Sequence, residues 1–294
     1  MISTRQPLLY ATRALSAYRH QLRRALSTQP LKVHPTSLSA FNIVHASYDK
    51  FRPTYFKPAV DALVRNLDLP ENAEVVDLAS GTGKFTALLK DYGFNLSAVE
   101  VSDGMLATFR ERLPDIPAYK GSSYDIPVAD KSLDALFVAQ AFHWFADMTS
   151  LHEFHRVLKP TAGKLALIWN FEPEIEINNK WQWEVAQACW AFDLDLPQFR
   201  RMNWQDVFQT EEARELFDLP LKNGKMYWSY KIAPEDVFGL WATKSYIVRL
   251  DEAEKEKLKA KVDLILKEYA SDLVDENGLL EQRLGVYYAW TSNK

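Results

Sequence analysis

The chain has 294 residues, 47% of them hydrophobic and 13% aromatic, with a net charge of −4, enough to bury one elaborated domain or a core plus a subdomain. That acidic balance gives no support to non-specific nucleic-acid binding, and the single cysteine, Cys189, excludes an intramolecular disulfide and any cysteine-cluster metal site. No apolar run approaches the ~20 residues of a membrane span, so a soluble intracellular protein is expected.

No Asp or Glu precedes Asp49, whereas Arg5, Arg13, Arg19, Arg23, Arg24 and Lys32 all do, interleaved with Leu8, Leu9, Leu15, Leu22 and Leu26. An arginine-rich, serine-containing and acid-free amphipathic start describes a mitochondrial transit peptide, with Arg24-Ala25-Leu26 before Ser27 as its cleavage pattern. The alternative is a disordered basic tail of a cytoplasmic protein. Residues 1–35 are therefore set apart from a folded domain expected over 36–294.

Residues 41–65 read as helical with a break at Arg52-Pro53. Strands are then expected near 73–79, 95–101, 117–121, 133–140 and 163–170, and helices near 83–91, 103–111 and 147–158. Such alternation argues for a parallel sheet covered on both faces, with the nearly continuous apolar run at 133–140 in its centre. Beyond Asn170 come a tryptophan-rich helix at 178–192, a short helix at 206–217, a strand at 226–232, a charged amphipathic helix at 252–270 and a last strand at 285–292.

The stretch that carries most chemistry is Glu74-Val75-Val76-Asp77-Leu78-Ala79-Ser80-Gly81-Thr82-Gly83-Lys84-Phe85, followed by a second strand ending on Glu100. Glycines at the carboxyl end of a strand let a ligand approach the backbone, and a carboxylate at the next strand tip can accept both hydroxyls of a ribose. A phosphate-cradling P-loop would need glycine at position 78 and Ser or Thr after Lys84, where Leu78 and Phe85 stand. A dinucleotide fingerprint from Gly81 would need a third small residue where Thr86 stands. A bare strand–turn–helix corner would not require Glu100. The remaining pattern resembles the class I S-adenosylmethionine-dependent methyltransferases.

Three further strings carry the resemblance. Tyr48-Asp49-Lys50-Phe51-Arg52-Pro53-Thr54-Tyr55, Val138-Ala139-Gln140-Ala141-Phe142-His143-Trp144-Phe145 and Glu153-Phe154-His155-Arg156-Val157-Leu158-Lys159-Pro160 are similar to segments of the methyltransferase type 11 family, which includes trans-aconitate methyltransferase-like enzymes. The resemblance covers about 40–292 and implies an α/β Rossmann-like fold: a seven-stranded, mostly parallel sheet ending in an antiparallel strand, with a helical lid inserted at about 172–220. It implies S-adenosylmethionine as cofactor, with Asp77, Ala79, Gly81 and Gly83 along its methionine and ribose side, Glu100 on the ribose hydroxyls, and Val101, Ser102 and Met105 around the adenine. Ser122 and Ser123 stand where the family often places an acidic residue for the adenine amino group, so the Ser123 backbone or Asp125 would substitute. Arg52 would pair with the methionine carboxylate through its guanidinium fork, with Tyr48 and Tyr55 closing over it; otherwise Arg52-Pro53 merely caps a helix.

Gln140, at the tip of the fourth strand, is expected nearest the sulfonium. His143 is expected beside the transferred methyl, either as a general base or as a hydrogen-bonding group, with Trp144 packing beneath as core. A carboxylate acceptor is already ionised at neutral pH and needs no base. Trp181, Trp183, Trp190 and Trp204 form either an aromatic wall for the acceptor or ordinary packing. Trp169-Asn170 would point into the same cleft, and Trp241, Lys244, Ser245 and Tyr246 would line it from one helix. His152 and His155 lack a third ligand and read as a solvated face, so no metal site is expected. The expected partner is a small-molecule substrate such as a carboxylate or hydroxyl compound, with no nucleic acid and no membrane span. RNA or protein methylation, or a non-catalytic cofactor-binding assembly module, are the competing readings.

Overall fold

A computed structural model describes residues 51–173, 179–193 and 196–294. The basic segment 1–35, the expected helix over 41–50 and Tyr48 lie outside the described residues.

The first helix, α1 (Lys57–Leu67), buries Ala59, Val60, Leu63 and Leu67 along one face. Strands and helices then alternate: β1 (Glu74–Leu78), α2 (Lys84–Leu89), β2 (Asn95–Glu100), α3 (Asp103–Arg112), β3 (Ala118–Lys120), β4 (Ala135–Ala139), α4 (Met148–Val157) and β5 (Lys164–Phe171). The second half contributes α5 (Lys180–Trp190), α6 (Glu211–Leu216), β6 (Lys222–Ile232), α7 (Pro234–Ala242), α8 (Ser245–Val248), α9 (Glu252–Tyr269) and β7 (Leu280–Ser292). The seven strands form one sheet in the order β3-β2-β1-β4-β5-β7-β6. β1 to β5 are mutually parallel, and β7 lies antiparallel between β5 and β6. The expected seven-stranded, Rossmann-like α/β architecture is the one observed.

Strand alternation divides the core in two. Val76, Leu78, Leu136, Val138, Leu165 and Leu167 pack with α4 and α6 on one face. Val75, Ala98, Phe137, Ala166 and Ile168 pack with α1, α2 and α3 on the other. Side-chain caps start several helices: Ser102 Oγ accepts from Met105 N at α3 and Asp147 from Ser150 N at α4. At α9, Asp251 and Glu254 form a capping box. A third cluster joins α5, α7 and α9 through Trp181, Val185, Leu240, Trp241, Leu258 and Val262.

Four expected elements differ in detail. Residues 53–56 are irregular rather than helical, with Phe56 extended, because Pro58 has no N–H to give to the carbonyl of residue 54 and its ring would clash there in a continuous helix. The helix expected over 206–217 is a 3-10 segment, Asn203–Gln209, and then α6, because the Thr210 hydroxyl accepts from Ala213 N and starts a new helix. The helix expected to reach 91 tightens into a 3-10 turn at Lys90–Tyr92. The one helix expected to carry both Trp241 and Tyr246 is two: α7 stops at Ala242, Lys244 is extended, and α8 starts at Ser245. Thr243 Oγ1 donates to Leu240 O and accepts from Arg52 Nε, so the side chain competes with continued helical bonding.

Candidate active site

The site is built where β1, β2, β4 and β5 end together. Beyond β1 the backbone turns left-handed at Ala79 (φ 57°), Gly81 (φ 56°) and Gly83 (φ 83°). A Cβ added to Gly81 would meet nothing within 4 Å, whereas one on Gly83 would come within 2.7 Å of Leu113 Cδ1 and 2.9 Å of Phe109 Cδ2. The two glycines therefore do different work: Gly81 leaves open space above the turn, and Gly83 lets α3 pack against it. Gln140, at the tip of β4, is also left-handed (φ 60°). A non-glycine residue in that region costs of order 1 kcal/mol and is held only by its surroundings. Here Gln140 N donates to Ile168 O (2.8 Å) and its Nε2 to Asn170 O (2.9 Å).

Glu100 ends β2 and ties the turn together. Its Oε2 accepts from Gly81 N (2.8 Å), and its Oε1 from Val101 N (2.9 Å) and Ser102 N (2.8 Å). Burial pushes the carboxyl up from its ordinary value, against the pull of these amides. Of its roughly four lone-pair sites three are taken, which leaves one for an outside donor. Asp77, fully buried beneath the turn, accepts from Thr86 Oγ1 through Oδ2 (2.5 Å), while its Oδ1 has no partner among the described residues. Burial, reinforced by nearby Glu100, raises it to about 7 against the Thr86 hydrogen bond. Ser122 and Ser123 are buried in a tight turn, with Ser122 Oγ accepting from Tyr124 N.

Two cavities meet over these strand tips. The first, with about 700 Å³ of empty volume including its mouth, is lined by Tyr55, Ala79, Ser80, Gly81, Thr82, Lys84, Phe85 and Ala139 among others. The second, about 760 Å³ on the same measure, is lined by His143, Trp144, Phe171, Trp190, Gln198, Phe199, Arg200, Ser245 and Tyr246. Arg52, Gln140, Asn170, Glu172 and Lys244 line both and form the seam. A third cavity continues past His143, Trp144 and Gln198 towards Asp147, Arg201 and Trp204. Asp77, Gly83, Glu100, Val101, Met105, Ser122 and Ser123 line none of these three; they form the support beneath and beside the turn.

The seam is strongly charged. Arg52 Nε donates to Thr243 Oγ1 (2.8 Å) and its Nη2 to Thr243 O (3.2 Å), and Lys84 Nζ donates to Arg52 O (2.8 Å). Lys244 Nζ and Glu172 Oε1 form a largely buried ion pair at 2.6 Å. Burial and Arg52 lower the Lys244 ammonium, and Lys244 draws Glu172 below its ordinary value despite burial. His143 accepts a hydrogen bond at Nδ1 from Trp169 Nε1 (3.2 Å). Burial, followed by Arg52 and Lys244, lowers the imidazole to about 3, so it is neutral at physiological pH.

Several expected side chains stand elsewhere. Trp169 does not face the cleft; it is fully buried on the α4 face, because Asn170 and Trp169 alternate across β5. Trp144 lines the second cavity while Phe142 takes the core position beneath it. Of the tryptophans expected to form an aromatic wall, Trp190 lines the second cavity and Trp204 the third; Trp181 is buried packing, and Trp183 stands edge-on to Trp190 (5.8 Å). His152 is exposed and paired with Glu212, but His155 is half-buried and bound through Nδ1 to Asn293 Oδ1 (2.7 Å). Sequence reasoning missed Glu172 and Thr243. Glu172 follows the β5 tip much as Glu100 ends β2, which is a signal that could have found it. Among the described residues no group of His, Cys, Asp and Glu is placed to hold a metal ion, and no described helix is long and apolar enough to cross a membrane.

Comparison with known proteins agrees with this geometry. The methyltransferase-domain family model matches residues 76–167, from β1 to β5. The chain is 31% identical over 231 residues to an uncharacterized methyltransferase-like protein of Schizosaccharomyces pombe, covering 78% of this chain and 87% of that one. It is 31% identical over 241 residues to an uncharacterized methyltransferase of Mycobacterium tuberculosis, covering 82% and 90%. The chain belongs to the class I S-adenosylmethionine-dependent methyltransferases. Its fold is also that of the solved YcgJ protein of Bacillus subtilis (TM-score 0.50, 16% identity, 81% of this chain and 99% of that one).

For this methyltransferase the cofactor is S-adenosylmethionine, and the residues present fit it. Open space lies over Gly81. Ser80 Oγ and Asn170 Oδ1, both on lining residues of the first cavity, are buried without partners among the described residues. These, with the remaining lone-pair site of Glu100, suit a ligand that brings an ammonium group and a ribose hydroxyl. When bound, the cofactor supplies a methyl group activated as a sulfonium.

Proposed function

We propose that this methyltransferase acts on a small anionic acceptor, a carboxylate or an ionised hydroxyl compound, held in the second cavity beside Gln140. The observation that carries this reading is the set of cations lining that cavity: Arg52, Arg200 and Lys244, of which Lys244 is paired with Glu172 and Arg200 with Asp193. Cations lining a cleft draw in an anion. The resemblance to trans-aconitate methyltransferase-like enzymes, which act on small carboxylates, points the same way. With the cofactor bound, an already ionised acceptor oxygen would need no base before accepting the methyl group.

In this reading Gly81, Ala79 and Asp77 shape the cofactor cradle and Glu100 takes a ribose hydroxyl. Val101, Met105, Ser122 and Ser123 bound the adenine, Arg52 takes the methionine carboxylate, and Gln140 lies nearest the methyl. The described residues 179–193 and 196–220 of the expected insertion serve as a lid over the acceptor. Holding the reactants in line inside a water-poor cavity supplies most of the rate. The arginine-rich start supports a mitochondrial location.

Isothermal titration with S-adenosylhomocysteine tests the cradle, with micromolar binding expected. Release of S-adenosylhomocysteine from a panel of small carboxylic acids, phenols and amines then tests the acceptor class. Turnover confined to amines would sink the anionic reading.

A further inference from the structure

The imidazole of His143 stands at the joint of the second and third cavities. An indole N–H only donates, so the 3.2 Å contact from Trp169 Nε1 to His143 Nδ1 fixes Nδ1 as the acceptor. In a neutral ring the proton then sits on Nε2. Among the described residues Nε2 has no hydrogen-bond partner, nor is it a buried unsatisfied atom, so it is open to the cavity space.

We propose that Trp169 locks His143 in the Nε2–H form, so that the ring serves the acceptor as a hydrogen-bond donor and not as a general base. This rests on the placement of the acceptor in the second cavity. To take a proton at Nε2 the ring would have to carry its hydrogen on Nδ1, where it would meet the Trp169 N–H head on. Full protonation would create the same clash. The surroundings also oppose a further positive charge: Arg52, Lys244 and Arg200 line the second cavity with Glu172 and Tyr246, and Asp147 and Arg201 line the third. Burial and the cations Arg52 and Lys244 hold the ring deprotonated. A neutral donor suits an acceptor that arrives already ionised: one carboxylate oxygen takes the Nε2–H while the other remains free to attack. His143 thus discriminates against acceptors that must lose a proton first, and Trp169 is a positioning residue acting through it.

The test uses the full chain labelled with ¹⁵N-histidine. The chain has six histidines, so the His143 signals are assigned by comparison with His143→Gln. Long-range ¹H–¹⁵N correlation distinguishes a protonated from an unprotonated ring nitrogen. The expected spectrum has a bare Nδ1 and a protonated Nε2, unchanged from about pH 5 to about pH 8, where an ordinary histidine titrates. Trp169→Phe should release the ring to both tautomers. A protonated Nδ1, or a wild-type ring that titrates in that window, overturns the proposal. Benzoate, added to the S-adenosylhomocysteine complex as a carboxylate probe, tests the donor role by calorimetry. His143→Gln keeps an N–H and should bind benzoate within roughly threefold of wild type, whereas His143→Leu should lose roughly tenfold, the scale of one charge-assisted hydrogen bond. Equal losses in both variants overturn the donor role. Failure of the wild type to bind benzoate, with its tautomer as expected, overturns the acceptor placement instead.

Discussion

Gly81 and Gly83 sit two residues apart in one turn, yet substitution should separate them cleanly. A side chain on Gly81 extends into open space over the cradle, so Gly81→Arg should fold and lose S-adenosylhomocysteine binding. Gly83→Val would drive its side chain into Leu113 and Phe109 and should cost about 1–3 kcal/mol by overpacking, more with the strain of a left-handed valine. Calorimetric affinity and denaturant midpoints on both variants check this; wild-type-like affinity in Gly81→Arg would refute the cradle. Asp77 gives a pH signature. Its carboxyl is raised from 3.8 to about 7, so between those values the folded state holds a proton that the unfolded chain has lost. Stability must then fall as pH rises through that window. Asp77→Asn can still accept from Thr86 and cannot titrate, so the Tm advantage of wild type over the variant should shrink from about pH 5 to about pH 8. An advantage that grows with pH would contradict the buried-carboxyl reading. At this scale the sequence showed the turn and Glu100, because spacing alone defines them. It could not show which glycine faces the ligand or which nitrogen of His143 carries the proton, since those depend on Leu113, Phe109 and Trp169, brought close only by folding.

The elements of the core were legible because buried parallel strands and one-sided helices leave period-two and period-3.6 patterns in the chain. The break between α7 and α8 was not, since Trp241 to Tyr246 keeps a helical pattern and the cause is Arg52, 191 residues away, bonded to Thr243. That break sets Lys244 against Glu172 at the tip of β5, clamping the α7–α8 corner onto the sheet. Removing one member of a buried pair leaves the other charge uncompensated, typically a loss of about 3–5 kcal/mol. Glu172→Gln should therefore destabilise by an amount of that order. The double variant Glu172→Gln, Lys244→Met should recover most of the stability without recovering full turnover, because the acceptor cavity has lost one of its cations. Urea unfolding of the three proteins decides it; a loss below about 1 kcal/mol in the single variant would show the pair to be well solvated.

At the scale of the whole molecule, the last strand made is not the last strand of the sheet. β7 lies between β5 and β6, pairing along eight positions with the first and eleven with the second. Beyond it, Asn293 N donates to Gly163 O (2.8 Å) and its Nδ2 to Leu158 O (3.0 Å), tying the chain's end to the α4–β5 corner. The antiparallel final strand was foreseen from the family pattern, but its closing role follows from topology that no local pattern encodes. Every β5–β7 contact closes a loop of more than a hundred residues, a slow step with large entropic cost. A chain ending at residue 279 retains all the strand tips and, of the residues lining the first cavity, lacks only Leu284. If the cradle were an autonomous local motif, that fragment would bind S-adenosylhomocysteine. The sheet argues otherwise: without β7, β5 becomes a bare edge, β6 has no partner, and Val286 and Ala289 leave both core faces at once. The fragment should therefore give a non-cooperative thermal transition and no calorimetric binding. Cofactor affinity within tenfold of the full chain would show that the glycine turn is organised by β1, β2 and β4 alone.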